Sequence, residues 1–392
     1  MTIQLVEIFH PNVFRKYCSK FNIFRELYEK DLLGLEIRAI DYKLGQKIKK
    51  VILSSNEICF STGKKGDVKC DILILGNYYV FKELSKQIIA NRNEEIGLRI
   101  KRTIQNIFDY ENKFIQIGKR KFTFERAYTI GILNVTPDSF SDGGKFFDKS
   151  KAVEHGLQLI EDGADILDIG GESSRPGSES VPDEEELNRV IPVTEEIIKQ
   201  KPDAIISIDT TKSNVAKEAL KLGAKIINDI SSFSDPCMLD VIKEFNATVI
   251  LMHMKGIPKT MQVDPGYDEV ISEVYDFLFA KVEYAKKSGI HNIIIDPGIG
   301  FGKRVMDNYE LIKRLNEFKG IGQGILIGVS NKSFIGKALN LEVQNREEAT
   351  LISETIAIGK GARFVRTHNV KKLNNAIKLN RFFDNPELLQ DV

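Results

Sequence analysis

The chain has 392 residues, of which 42% are hydrophobic and 28% are charged, and its formal net charge is +1. This length allows two domains of ordinary size, and the composition is typical of a globular protein rather than of a collagen, a coiled coil or a disordered chain. The cysteines lie far apart with no CxxC pair, so the sequence indicates neither a disulfide framework nor a zinc site.

The apolar stretches are far shorter than the roughly 18 residues that a membrane helix needs. The first residues also lack the basic and apolar regions of a secretory signal. We therefore expect a cytoplasmic protein.

Charge and backbone composition change near residue 120. Residues 1–120 contain 22 Lys and Arg against 14 Asp and Glu, whereas the rest contains 34 against 41. The first part holds one proline and seven glycines, and the rest holds ten and 22. We predict an N-terminal extension at residues 1–120 and a second domain at residues 121–392. The basic residues of the extension are interleaved with acidic ones, which favours an ordinary solvated surface over a nucleic-acid site.

The predicted elements of the extension are, in chain order, a helix at residues 12–29, strands at 49–53 and 70–75, and a helix at 80–90. They indicate a small mixed α/β domain. No group of chemically active side chains emerges from it, so its function stays unassigned.

From residue 127 a unit of one apolar run and one amphipathic segment repeats about eight times. The predicted strands cover residues 128–133, 165–169, 204–208, 225–227, 248–252, 292–295, 325–329 and 363–365. The predicted helices cover residues 149–161, 184–199, 213–222, 237–245, 268–287, 307–318, 346–360 and 370–382. Strands buried on both faces and alternating with helices predict a parallel sheet. Eight units predict an α/β fold of the (β/α)8 TIM-barrel type, and a doubly wound open sheet, usually of six strands, is the alternative.

Polar side chains follow every predicted strand, at the face where such a barrel carries its active site. They are Asn134, Glu172, Asp209, Asn228, His253, Asp296, Ser330 with Lys332, and Arg366 with His368. Any one of them could simply cap a helix or form a turn. As a set, their carboxylates, amides and cationic groups suit a polar planar heterocycle bound together with an anion.

These strand ends carry sequences that resemble a known family. Residues 132–144 read ILNVTPDSFSDGG, and residues 170–177 read GGESSRPG. Shorter matches follow in the same order at residues 207–210, 227–230, 251–253, 296–301, 330–336 and 366–370. Together the motifs resemble those of the dihydropteroate synthases, from about residue 122 to about residue 382.

The resemblance implies a reaction, a cofactor and partners. Dihydropteroate synthases join 6-hydroxymethyl-7,8-dihydropterin diphosphate to p-aminobenzoate, and they release 7,8-dihydropteroate and pyrophosphate in folate biosynthesis. They are transferases that use Mg2+, are targets of sulfonamides and usually form homodimers. We therefore expect these small-molecule substrates, with neither nucleic acid nor membrane as a partner.

The motifs assign a pterin site by similarity. Its residues are Asp209, Asn228, Met252, Asp296, Lys332 and Arg366. A pterin presents hydrogen-bond donors beside acceptors along one edge, and carboxylates and amides can pair with such an edge. Arginine is suited both to stacking on a planar ring and to contacting phosphate.

The diphosphate end of the site is also implied by similarity. Asn134 contributes to the Mg2+ site, while Arg366 and His368 hold the phosphates near the last strand. The sequence GIGFGK at residues 298–303 lacks the spacing of a Walker A motif, so we predict a tight turn beside the pterin.

The residues implied in catalysis are Asp138, Lys332, Arg366 and His368. The attacking aryl amine is largely unprotonated at neutral pH and needs no strong base. Catalysis should then depend on departure of the diphosphate and on stabilising positive charge at the pterin methylene carbon. Asp138 is the candidate for that second role, and the alternative is a turn residue after Pro137.

The p-aminobenzoate pocket implied by similarity contains Ser174, Arg175, Pro176, Phe301 and Ser333, beside Lys332. Two positions depart from many family members, which have Thr in place of Ser174 and Arg in place of Asn331. Both positions flank this pocket, so they bear on the affinity for p-aminobenzoate and sulfonamides rather than on the reaction.

Two other interpretations compete with a synthase. A methyltetrahydrofolate-binding methyltransferase module that works with a corrinoid protein would share the barrel and the set of Asp209, Asn228 and Asp296. It would not need the SRP sequence at residues 174–176 or the motif at 330–336. A catalytically inactive pterin-binding scaffold would not need the full set of Asn134, Asp138, Lys332, Arg366 and His368.

Overall fold

The computed structural model describes residues 1–8, 11–23, 33–55, 57–136, 149–173, 177–384 and 386–389. The chain forms two compact units. The first unit combines Met1–Tyr110 with Asn316–Gly322, and the second combines Glu111–Leu315 with Gln323–Val392.

The first unit is built on an antiparallel four-stranded sheet in the order β1-β2-β4-β3. Its strands are β1 (Thr2–Val6), β2 (Leu33–Asp41), β3 (Ile58–Ser61) and β4 (Lys69–Gly76). Its helices are α1 (Pro11–Phe21), α2 (Tyr42–Ser54), α3 (Tyr78–Ala90) and α4 (Glu94–Phe108). Strand β4 contributes to two hydrophobic clusters, because successive side chains of a strand point to opposite faces: Ile72 and Ile74 belong to one, and Leu73 and Leu75 to the other.

One predicted element of this unit is wrong. The strand expected at residues 49–53 lies inside α2, because Gly45, Ile48 and Ile52 are buried at helical spacing. The carboxylate of Asp41 begins this helix by accepting a hydrogen bond from the backbone N–H of Leu44 at 2.9 Å. A short apolar run read in isolation does not distinguish the two structures.

Two further predictions for this unit are confirmed, and a third is confirmed in part. Strand β4 and helix α3 confirm the elements expected at residues 70–75 and 80–90. Helix α1 confirms the first part of the helix expected at residues 12–29, but it ends at Phe21, where Asn22 follows with a positive φ of 53°. Residues 24–29 lie outside the described residues.

The second unit begins with a hairpin of β5 (Phe114–Ile117) and β6 (Arg120–Thr123). Phe122 of this hairpin packs edge-on against Tyr128, the two ring centres being 4.8 Å apart. Tyr128 in turn stacks on Phe364 at 5.7 Å. Because Tyr128 and Phe364 begin strands β7 and β14, these rings lie at the amino end of the barrel.

Within the described part of the chain, eight parallel strands close into a barrel, which confirms the TIM-barrel prediction. The closing pair is β14 and β7, where Phe364 lies opposite Tyr128. The strands are β7 (Tyr128–Asn134), β8 (Ile166–Gly170), β9 (Ile206–Asp209), β10 (Ile226–Asp229), β11 (Thr248–Met252), β12 (Ile293–Asp296), β13 (Gly324–Gly328) and β14 (Phe364–Thr367).

Helices alternate with the barrel strands close to the predicted positions. They are α5 (Lys149–Glu161), α6 (Asp183–Gln200), α7 (Ser213–Leu222), α8 (Met238–Glu244), α9 (Val270–Lys287), α10 (Val305–Lys313), α11 (Ser333–Leu339), α12 (Glu347–Gly359) and α13 (Val370–Asp384). None of the helices in the described ranges has the length and apolarity to cross a membrane.

Two details of the helices differ from the predictions. The helix expected at residues 307–318 ends at Lys313, and a 3-10 helix, Leu315–Ile321, follows it. Its buried residues Leu315, Phe318 and Ile321 recur every third position, a spacing that resembles that of an α-helix in sequence. The short helix α11 was not predicted.

Candidate active site

The strand registers bring the predicted site residues to one end of the barrel. Asn134 of β7 lies opposite Gly170 of β8, and Gly170 lies opposite Asp209 of β9. Asp209 in turn lies opposite Asn228 of β10. On the following strands, Met252 pairs with Asp296, and Gly328 pairs with Arg366. The carboxyl ends of the strands therefore gather these side chains into one ring.

Arg366 links two carboxylates of this ring. Its Nε donates to Asp168 Oδ2 at 2.6 Å, and its Nη2 donates to Asp209 Oδ2 at 2.8 Å. Asn228 Nδ2 donates to the same oxygen of Asp168 at 3.1 Å. Four side chains from four strands thus form one hydrogen-bonded network.

Asp168 is a site residue that the sequence analysis did not name. It lies in the middle of β8 rather than after it, and it is fully buried. Its other oxygen, Oδ1, has no hydrogen-bond partner among the described residues. A carboxylate inside the apolar run ILDIG could have identified it, since a strand buried on both faces seldom carries an unpaired charge.

Burial governs the electrostatics of this network. It raises the pKa of Asp209 to about 7, against the opposing effect of Arg366 and with a further increase from Asp168. Burial alone would lower the pKa of Arg366, but Asp168 and Asp209 outweigh it and the pKa is raised. The guanidinium therefore stays charged, while Asp209 titrates near neutral pH.

Asp296 and Lys332 form the other part of the ring. Asp296 Oδ1 accepts a hydrogen bond from the backbone N–H of Gly298 at 2.7 Å. Burial raises the pKa of Asp296, although Lys332 acts against it. Burial likewise lowers the pKa of Lys332 to about 8, opposed by Asp296. Lys332 Nζ donates to the carbonyl of Ile299 and lies 4.4 Å from the centre of the Phe301 ring.

The loop after β12 is the tight turn that the sequence predicts. Gly298 has a φ of +71°, and a Cβ there would lie 1.9 Å from the carbonyl oxygen of His253. Only glycine fits such a close approach in this backbone conformation. The turn therefore places Phe301 beside Lys332.

Two of the polar residues that follow strands do not join the ring. His253 is buried, and its Nδ1 lies 3.0 Å from Lys303 Nζ. Burial and the neighbouring Lys303 lower the pKa of His253 to about 2, so the imidazole is neutral. Glu172 instead pairs with Lys212, which also pairs with Glu186.

The residues predicted near the phosphates and Mg2+ lie at the ends of β7 and β14. His368 is exposed, and its Nδ1 lies 2.9 Å from Ser330 Oγ. It precedes α13, whose first residues follow β14 directly. Asn134 ends β7 and is partly exposed. A helix start beside an exposed imidazole is a suitable environment for an anion.

The remaining predicted residues can be placed only in part. Met252 is buried at the end of β11, and Ser333 begins helix α11. Asp138, Ser174, Arg175 and Pro176 lie outside the described residues.

Asn331 adopts a left-handed backbone conformation, with a φ of 58°. Asparagine tolerates this conformation better than most residues. Its carbonyl accepts a hydrogen bond from Arg346 Nη1 at 3.1 Å, and its backbone N–H donates to Thr350 Oγ1 at 3.2 Å. Hydrogen bonds to its backbone groups, rather than to its side chain, therefore hold Asn331 in place.

Comparisons with known proteins show which family this chain resembles. The family model described as pterin binding enzyme matches residues 130–368. The dihydropteroate synthase of Escherichia coli K12 is 45% identical over 254 residues, which are 64% of this chain and 90% of that protein. The Bacillus subtilis enzyme is 43% identical over 258 residues, 65% of this chain and 88% of that protein.

Solved structures show the same similarity. The chain resembles the Yersinia pestis dihydropteroate synthase in a sulfonamide drug complex, with a TM-score of 0.66 and 37% identity over 69% of this chain and 99% of that one. It also resembles the Xanthomonas albilineans enzyme in complex with 7,8-dihydropteroate, with a TM-score of 0.63 and 37% identity over 70% of this chain and 99% of that one.

Proposed function

We propose that the ring of side chains at the carboxyl end of the barrel is the catalytic site of a dihydropteroate synthase. The chain belongs to this family of pterin-binding enzymes. The chain is a transferase of folate biosynthesis that condenses 6-hydroxymethyl-7,8-dihydropterin diphosphate with p-aminobenzoate. Each part of this reaction has candidate residues in the ring and in the loops beside it.

The observation that carries the assignment is the hydrogen-bonded network on β8, β9, β10 and β14. A pterin edge needs acceptors for its amino and ring N–H groups, and Asp209, Asn228 and Asp296 supply them at the carboxyl ends of β9, β10 and β12. Lys332 donates to the acceptor atoms of the ring. Met252 and Arg366 lie against its faces, and the Arg366 guanidinium is already oriented by Asp168 and Asp209.

The leaving group requires positive charge at the other end of the site. Arg366 and His368 are proposed to hold the diphosphate, supported by their position at the end of β14. Asn134 is proposed to hold Mg2+ through its amide oxygen. This donor fits, because protein-bound Mg2+ prefers hard oxygen ligands and takes most of them from phosphate and water. Mg2+ bound there would neutralise charge on the departing diphosphate.

The chemical step does not require a strong general base, because the aryl amine is largely unprotonated at neutral pH. The aryl amine of p-aminobenzoate attacks the pterin methylene carbon as the bond to the diphosphate oxygen breaks, and the amine then loses a proton. Asp138 is proposed to stabilise the positive charge that develops at the methylene carbon. Lys332 and Arg366 keep the ring in place during this step.

The p-aminobenzoate pocket is proposed on the side of Phe301 and Ser333. The Lys332 ammonium near the Phe301 ring supports this proposal, as does the start of helix α11 at Ser333, where backbone N–H groups favour a carboxylate. Ser174, Arg175 and Pro176 complete the proposed pocket. The Xanthomonas albilineans enzyme has been solved with 4-aminobenzoic acid, and sulfonamides are proposed to bind here as mimics of it.

The pterin-binding domain is assigned to residues 121–392, with residues 1–120 as an extension of unassigned role. The protein is proposed to form homodimers, as the family usually does. A cytoplasmic location also stays a prediction.

One assay tests the function directly. The full chain is incubated with Mg2+, the pterin diphosphate and p-aminobenzoate, and both dihydropteroate and pyrophosphate are measured. We expect equal amounts of the two products from the wild-type protein, and a large loss of rate in Asp296→Ala. Absence of dihydropteroate with the folded wild-type protein would contradict the proposal.

A further inference from the structure

The loop after β12 has a run of backbone carbonyls that accept hydrogen bonds from side chains. Four consecutive carbonyls, those of Ile299, Gly300, Phe301 and Gly302, accept from Lys332, Gln262, Lys303 and Tyr267 respectively. The last three distances are 2.7, 3.0 and 2.6 Å. Gln262 and Tyr267 both belong to the segment between β11 and α9. We refer to these four side chains as the carbonyl clamp.

Lys303 is the more deeply buried of the two lysines of the clamp, with 3% of its surface exposed, and this burial lowers its pKa to about 7. Besides the carbonyl of Phe301, its Nζ lies 3.0 Å from His253 Nδ1 and 3.2 Å from the His253 carbonyl oxygen. An ammonium group has three protons, and three acceptors surround this one. Lys303 therefore ties the loop after β12 to the end of β11.

The loop needs such ties because of its composition. Gly298, Gly300 and Gly302 all have positive φ, at 71°, 83° and 61°. Glycine loses more backbone freedom than any other residue when it is ordered, so this conformation does not maintain itself. Without external contacts the loop would sample many conformations, and Phe301 would move with it.

We propose that Lys303 is a positioning residue for the reaction: through the carbonyl of Phe301 it fixes the Phe301 ring next to Lys332 and so shapes the p-aminobenzoate side of the site. This inference rests on the proposed function, since it uses the assignment of Phe301 to that pocket. Asp209 and Asn228 on the pterin side belong to a network that Lys303 does not touch. Asp296 interacts more strongly with Lys332 than with Lys303.

The test is Lys303→Met, which keeps an unbranched side chain and removes the three donors. We expect KM for p-aminobenzoate to rise about tenfold, with kcat changed by less than about threefold and the Kd of the pterin diphosphate changed by less than about twofold. Lys287→Met is the matched control, because Lys287 is exposed on α9, and it should leave all three constants unchanged.

A second variant covers the case in which Lys303→Met does not fold. Gln262 is exposed, and it holds the adjacent carbonyl of Gly300. Gln262→Ala should raise KM for p-aminobenzoate about threefold without affecting folding. Wild-type KM in either folded variant would overturn the inference, as would a parallel rise in the pterin Kd. A wild-type protein that forms no dihydropteroate would instead contradict the proposed function.

Discussion

At the scale of single residues, buried charge is the feature that distinguishes this site. Asp168, Asp209 and Arg366 lie together where water is largely excluded, and each oxygen or N–H left unpaired there is costly. The guanidinium satisfies one oxygen of each carboxylate, while the buried Oδ1 of Asp168 has no hydrogen-bond partner among the described residues. The same burial gives Asp209 a pKa near neutrality, which makes its protonation part of ligand binding.

Pterin binding should therefore depend on pH through Asp209. Its pKa is about 7 in the ligand-free protein, and the N–H donors of a pterin require the carboxylate form. Affinity should fall as the pH drops below 7, by up to about tenfold per pH unit. Calorimetry in two buffers of different ionisation enthalpy would measure the number of protons released when the pterin binds.

Asp209→Asn is the control for this dependence, because an amide does not titrate. It should bind more weakly and lose the change in affinity between pH 6 and 7, while any effect of Lys332 near pH 8 should remain. Identical pH profiles for the two proteins would show that another group is responsible.

Glu354 is a second buried carboxyl group, and its burial lowers the free energy of unfolding at high pH. It is 1% exposed on α12, its Oε1 has no hydrogen-bond partner among the described residues, and burial raises its pKa from 4.5 to about 8. Between these values the folded state keeps a proton that the unfolded state has lost, so stability falls as the pH rises. Glu354→Gln should remove this fall and stabilise the protein by about 1–3 kcal/mol at pH 8.

Denaturant unfolding at pH 5 and pH 8 measures the effect. Glu348→Gln on the same helix is exposed and serves as the control. An unchanged difference between the two pH values in Glu354→Gln would contradict the assignment.

At the scale of elements, the loops between strands and helices decide the shape of the site. The turn after β12 carries alternating glycines against the backbone that follows β11. Strands β11 and β12 determine only the position at which the turn starts. The turn therefore depends on the steric fit of its backbone as well as on the side chains that bind its carbonyls.

Gly298→Ala should consequently be poorly tolerated. A methyl group would meet the His253 carbonyl at 1.9 Å, in a conformation that alanine disfavours. We expect a loss of about 1–3 kcal/mol in the free energy of unfolding, together with weaker pterin binding. Urea unfolding and calorimetry would measure the two effects.

Gly359→Ala is the matched control, because nothing lies within 4 Å of a Cβ at the end of α12. Alanine favours a helix over glycine, so this variant should be neutral or up to about 1 kcal/mol more stable. Equal losses in the two variants would show that the close approach at Gly298 is unimportant.

At the scale of the whole molecule, the first unit is discontinuous in sequence. Asn316–Gly322, which follows α10, belongs to it together with Met1–Tyr110. Within this unit Glu317 accepts from Gln4 Nε2 at 2.7 Å and from the backbone N–H of Glu7 at 3.3 Å. The segment is thus part of the hydrogen bonding of the unit.

Glu317→Ala should destabilise this unit, because it leaves donors of Gln4 and Glu7 without their acceptor. The expected cost is about 1–3 kcal/mol, seen as earlier thermal unfolding. Glu83→Ala is the control, since its exposed pair with Lys86 should contribute little. Equal melting temperatures for the two variants would contradict the role of Glu317.

Removing residues 1–118 should separate stability from chemistry. Every site residue assigned above lies beyond residue 120, so the turnover number of the folded protein should stay close to that of the full chain. The shortened protein should unfold at a lower temperature, because Asn316–Gly322 loses its partners in the first unit. A folded but inactive product would show that the extension completes the site.

Much of the second unit could be predicted from sequence because its pattern is local and repeated. Parallel strands buried on both faces are continuous apolar runs, and the residue after each run points to the carboxyl end of the barrel. That logic located Asp209, Asn228 and Asp296 correctly at strand ends. It failed at residues 49–53, where three apolar residues after two lysines fit either a strand or a turn of helix.

The sequence by itself determined the repeat of strands and helices, the resemblance to a synthase family and the strand ends that bear polar groups. Only the tertiary structure decided which of those groups meet. In the folded barrel, Arg366 binds Asp168 and Asp209 on strands far apart in the chain, whereas His253 lies against Lys303. The reason is physical: hydrophobic periodicity is set by neighbours along the chain, whereas the pairing of buried charges depends on barrel closure and register, which no local pattern encodes.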